Sequence, residues 1–151
     1  MSALEKLLTE EKDLVVRFLD VLRKEQAALV EADAGILQTL GDKKLGLIDR
    51  LNQVEAGRIA LITLPPGKDS MLHWLTQHPE ESGARALWLK IISLARVARQ
   101  MHQMNGELIA MHLAKTNEAL SVLIQKQKDI ALYSSDGQSF TGTGSRIVDL
   151  A

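Results

Sequence analysis

Cysteine is absent from this 151-residue chain. Disulfides, thiolate metal sites and cysteine nucleophiles are therefore excluded. Aromatics are almost absent: Phe18, Trp74, Trp88, Tyr133 and Phe140 are all there are. Leucine, isoleucine, valine and alanine must build the core, which suits helices packed lengthwise. Proline stands only at 65, 66 and 79, so long stretches carry no helix breaker. Neither sign of charge dominates: the formal net charge is −1. No dense Lys/Arg run with interleaved aromatics marks a nucleic-acid surface. No charged-then-apolar leader and no apolar run long enough for a bilayer is present, so the expected address is cytoplasmic, without membrane insertion.

What is present is helical periodicity. Leu4, Leu8, Val15, Phe18, Leu22 and Leu29 keep a three-four spacing over about Ala3 to Ala32, widened by Leu7, Leu14, Leu19 and Val21. Asp33-Ala34-Gly35 reads as a short break with a helix cap. A second element follows from about Ile36 to Ile62, on Leu37, Leu40, Leu47, Leu51, Val54 and Leu61, with Lys44 and Arg58 filling two positions of the stripe. Gly41, Gly46 and Gly57 weaken it by about 1 kcal/mol each relative to alanine, so packing must hold it. So short a joint implies an antiparallel helical hairpin.

Leu64-Pro65-Pro66-Gly67-Lys68 is the clearest linker. A short amphipathic segment, Ser70 to Gln77, comes next. His78-Pro79-Glu80-Glu81 then reads as a helix start, with proline at the first helical position and acids where the helix dipole favours them. The last helix runs from about Pro79 or Ala84 to Leu132 and, at 1.5 Å per residue, would reach ~75 Å if straight. Asn105-Gly106 is the expected place for any bend. The fold expected is all-α: a helical hairpin, a short helix and one very long C-terminal helix in an elongated up-down bundle. Residues 1–133 form one domain, and a Ser/Gly/Thr-rich tail occupies 134–151.

The apolar stripe of the last helix changes phase. It first reads Leu87, Ile91, Leu94, Ala98, Met101, Asn105, Leu108, and then Ile109, Leu113, Thr116, Leu120, Leu123, Gln127, Ile130. One residue of displacement turns the face by about 100°. Either the chain's own bundle wraps around this second face, or the face is open and receives a partner's helix. Met101, Met104 and Met111 are expected in the core by their spacing, although methionine also suits adaptable contacts.

Catalytic chemistry has no foothold. His73, His78, His102 and His112 form no metal pattern, and no HExxH occurs. The glycines from 137 to 144 lack the lysine and strand-to-helix context of a P-loop. No nucleophile elbow is present. Neither enzyme activity nor a cofactor is expected. One alternative is chemical: His112-Leu113-Ala114-Lys115 loosely resembles the His-x-x-Lys of histidine phosphotransfer domains, which are also four-helix bundles. There glycine usually follows the lysine, and here Thr116 does.

A stronger resemblance rests on three segments. Lys43-Lys44-Leu45-Gly46-Leu47-Ile48-Asp49-Arg50-Leu51 lies on the second arm of the hairpin. Asn105-Gly106-Glu107-Leu108-Ile109 lies inside the long helix. Leu132-Tyr133, then Asp136-Gly137-Gln138, follows at its end. Together they resemble the FlgN family of flagellar type III export chaperones, whose tail usually reads Leu-Tyr-Gly-x-Asp-Gly-Gln; here Ser134 replaces the first glycine. The resemblance implies a chaperone that binds the two junction proteins between flagellar hook and filament through their C-terminal helices. It also implies delivery to the export gate and its export ATPase complex, with Tyr133, Asp136, Gly137 and Gln138 at the docking end. Ile109, Leu113, Leu120, Leu123 and Ile130 are the expected client-binding side chains. A weak homodimer through the same stripe is a further expectation.

Overall fold

Four α-helices account for nearly all of residues 1–62 and 70–133, which the computed structural model describes apart from the side chain of Tyr133. They are α1 (Ala3–Glu31), α2 (Ala34–Leu61), α3 (Ser70–Gln77) and α4 (Ser82–Tyr133). No strand occurs among the described residues. The expected linker from Leu64 to Lys68 and the tail from 134 onward lie outside them.

The α1 stripe is buried as its spacing demands. Leu4, Leu8, Val15, Leu22 and Leu29 are inside, with Leu14, Leu19 and Val21 beside them. Ser2 starts the helix: its Oγ accepts the Glu5 N–H at 3.1 Å and donates to Glu81 Oε2 at 2.9 Å. One side chain thus caps α1 and ties it to the start of α4.

The chain reverses on Ala32-Asp33. Ala32 is left-handed (φ 55°), and the Asp33 N–H returns to the Ala28 carbonyl at 3.0 Å. This is the closing geometry usually given to glycine. Asp33 then caps α2, its Oδ1 accepting the Ile36 N–H at 3.1 Å. The expected break at 33–35 is therefore tighter: Ala34 and Gly35 are already helical. Among the described residues Ala32 is the one non-glycine with a positive φ, and glycine stands three residues further on. Ala32→Gly should relieve about 1 kcal/mol of this strain and raise the thermal midpoint by roughly 2–6 °C. A lowered midpoint would show that the strain is not there.

Three ion pairs zip α1 to α2. Arg58 Nε reaches Glu11 Oε2 at 3.1 Å, Lys44 Nζ reaches Glu25 Oε2 at 3.1 Å, and Arg50 pairs with Glu10. From 11 to 25 on α1, and from 58 back to 44 on α2, the steps are equal, as an antiparallel register requires. Apolar contact adds to this where Val21 and Ala28 meet Leu40, with Leu37 and Leu47 alongside.

Two further clusters bring in α3 and α4. Leu4, Leu8, Ile62, Met71, Leu75, Ala84 and Ile91 form one, flanked by Trp74, Leu87 and Trp88. Leu19, Leu22 and Ala98 form the other, flanked by Phe18, Leu94 and Met101. α4 begins at Ser82, between the two expected starts, Pro79 and Ala84. Pro79 instead follows His78 in a turn closed by the Glu81 N–H on the His78 carbonyl at 3.0 Å, where its fixed φ suits the second position.

Asn105 is the polar member of the first stripe of α4. It is 1 % exposed, and its Nδ2 donates to the Leu22 carbonyl and to Glu25 Oε1, both at 3.0 Å. Through Glu25 it joins Lys44, so one polar chain spans α4, α1 and α2. Its Oδ1 is buried without a partner. A lone asparagine in an apolar seam costs stability and fixes register. The helix continues unbroken through Asn105-Gly106. The described chain divides into two units after Leu108, with α4 contributing to both.

Candidate functional site

In the first unit the α4 stripe is covered. Ile91, Ala98 and Asn105 are buried, and Leu87, Leu94, Met101 and Leu108 are half-buried. From Ile109 the pattern changes. Ile109 is 44 % exposed, Leu113 60 %, Leu123 59 % and Ile130 65 %, while Leu120 is half-buried. At 100° per residue these five fall within about a 100° sector of one helix. Four of the five expected client-binding side chains thus stand in the open on a common face.

Thr116 and Gln127 interrupt this face only mildly. The Thr116 Oγ1 donates to the His112 carbonyl at 2.9 Å, within its own helix, so the hydroxyl asks nothing of a partner. Ser121 does likewise with the Asn117 carbonyl at 2.9 Å, and Gln125 Nε2 donates to Asp129 Oδ1 at 3.2 Å. On the strip itself the Thr116 bond leaves its methyl group for contact, whereas Ser121 and Gln125 lie on other faces of α4.

The structure adds what spacing did not single out. Met104, Met111 and Val122 are each more than half exposed, on the far side of α4 from the strip. Two of the three methionines expected in the core are therefore outside it. Met101 alone packs there, against Leu19, Leu22 and Ala98. The reason is positional: Met101 lies on the covered stripe, Met104 sits about 90° round the helix from that stripe's centre, and Met111 falls after Leu108, in the second unit. Leu132, 81 % exposed, also carries apolar surface near the helix end.

His112, the carrier in the phosphotransfer alternative, is half-buried on α4. Tyr133 is the last residue of α4, and its side chain lies outside the described residues, as do Asp136, Gly137 and Gln138. Among the described residues no group of three His, Cys, Asp or Glu is placed to hold a metal ion. None of the described helices is long and apolar enough to cross a membrane. The arrangement offers apolar surface and shape rather than reactive groups.

A protein-family model described as FlgN protein matches residues 1–140. That range takes in Lys43–Leu51, Asn105–Ile109 and Leu132–Gln138. No curated protein and no solved structure matches the chain.

Proposed function

The chain belongs to the FlgN family, a family of flagellar export chaperones rather than enzymes, and from that premise we propose that its clients are the two hook–filament junction proteins, gripped in the cytoplasm by their C-terminal helical segments. It keeps them unassembled and hands them to the export gate and its ATPase complex. The observation that most supports this reading is the strip formed by Ile109, Leu113, Leu123 and Ile130, exposed on one helix face. Leu120 completes the set.

The physics of the role is substitution. A junction subunit's terminal helices find their neighbours only on assembly. Before then their apolar faces are unpaired and prone to aggregate. An amphipathic helix with a matching strip can pack against them side by side. A total buried area of roughly 1,000–1,500 Å² suits a complex that must later release its cargo. The same strip could pair weakly with a second copy when no client is present. Tyr133, Asp136, Gly137 and Gln138 then serve gate docking, with residues 1–133 as the chaperone domain and 134–151 as its tail.

Co-purification of the full chain with each junction protein, intact or lacking its C-terminal segment, tests the reading. Intact clients should be retained and shortened ones lost. Tyr133→Ala should keep the client and weaken capture by the export gate. Retention of both shortened clients would defeat the assignment.

A further inference from the structure

We propose that the groove between α1 and α2 is a second docking surface, built for an acidic amphipathic helix of a partner protein. It goes beyond the client strip and shares no residue with it. The groove holds about 620 Å³. Its floor is apolar: Val16 is 47 % exposed, and Leu40 and Leu47 lie deeper. Its rim is basic. Arg17, Arg23, Lys24 and Lys43 line it against one acid, Asp20. That acid is occupied by Lys24 at 3.0 Å. Among the described residues no carboxylate pairs with Arg17, Arg23 or Lys43. This cationic rim sits on a chain whose formal net charge is −1, so it is a local arrangement and not a reflection of general basicity.

Gly46 is compatible with such an occupant, as one of three described helix glycines with open space beside them, and the one of these that lines the groove. A Cβ built there would meet nothing within 4 Å. Packing within the chain does not require glycine at this place. Yet glycine in a helix costs about 1 kcal/mol relative to alanine. A bare backbone beside an open groove lets a visiting helix come close. A helix is the occupant that fits, because two antiparallel helices leave a trough for a third. Its leucines would reach the recessed floor, and its flanking acids would meet the rim. A flat lipid surface would touch the cations and miss Leu40. A nucleic acid would find no aromatic platform among the lining residues.

The probe is a designed peptide of roughly 18 residues, five helical turns, with leucines at three-four spacing flanked by glutamates. A control peptide carries lysine for every glutamate. Fluorescence anisotropy with the full chain should show binding of the acidic peptide, weakened by salt, and no binding of the basic one. Gly46→Leu, which fills open space, should weaken it about tenfold or more, and so should Arg23→Glu with Lys43→Glu. Leu113→Ala with Leu123→Ala should leave it unchanged, which separates this surface from the client strip. Equal binding of both peptides, or indifference to Gly46→Leu, overturns the proposal. So does binding of phosphatidylglycerol vesicles, or self-association, that Gly46→Leu abolishes while the peptide does not bind.

Discussion

Arg58→Ala should lower the unfolding free energy by about 3–5 kcal/mol at neutral pH, the largest stability effect of any single truncation considered in this chain. Arg58 is 7 % exposed and Glu11 8 %. The guanidinium holds the carboxylate through Nε at 3.1 Å and lies 4.6 Å from the Trp88 ring centroid. Removing it leaves a buried carboxylate without its cation and Trp88 without its stacked partner. Burial already pushes the Glu11 carboxyl above its ordinary 4.5, even against the pull of Arg58. A carboxyl raised in the native state contributes stability that is fully present below its unfolded value and lost as pH rises through its native value. The cost of Arg58→Ala should therefore shrink as pH falls toward 4.5, because Glu11, raised further once its cation is gone, takes up a proton above that value. Glu11→Leu combined with Arg58→Met should recover most of the loss, because an apolar pair of similar volume avoids desolvating two charges. Urea unfolding across pH measures all three. A cost for Arg58→Ala that stays constant with pH would show that the Glu11 charge is not what is being stranded.

The second large effect falls on binding. Leu113→Ala with Leu123→Ala should weaken client affinity by about 2–4 kcal/mol, a loss of thirtyfold to several hundredfold. Both side chains are about three-fifths exposed, so truncation opens no cavity in the free protein. Alanine is also the better helix former. The circular-dichroism signal and unfolding midpoint should hardly change. Met111→Ala with Val122→Ala removes comparable exposed apolar area from the opposite side of α4 and should cost less than about 0.5 kcal/mol. Equal losses from the two pairs would mean that apolar area in general, and not a particular face, is being read.

The helices were legible because their signals are local. Leu4, Leu8, Val15 and Leu22 spell out one face of α1, and Asp33 marks its joint with α2 without reference to anything distant. The two stripes of α4 were legible for the same reason, but at 100° per residue their centres differ by only about 40°, so what changes after Leu108 is which residues are covered. What periodicity cannot supply is the partner across the gap. Lys44 and Arg58 look like interruptions of the α2 stripe until Glu25 and Glu11 are seen opposite them. Asn105 reads as a weak spot beside a glycine, whereas in the fold it is a buried donor to another helix. Of the two expected starts of α4, Pro79 lies three residues too early, because a proline at a helix start and a proline in the preceding turn have the same local signature. Met104 and Met111 were expected inside on spacing alone. Whether a face is covered depends on helices elsewhere in the chain, and spacing along a single helix carries no record of them.

The central claim is that the face carrying Ile109, Leu113, Leu120, Leu123 and Ile130 receives the client's terminal helices. Methyl NMR reads this directly: protein labelled at isoleucine and leucine methyls is titrated with the C-terminal segment of a junction protein. Intermolecular contacts and large shifts at those five residues, with Leu8, Leu22 and Leu75 unmoved in the core, are the predicted result. Shifts confined to residues before Leu108, or none at all on the strip while the complex forms, would contradict it.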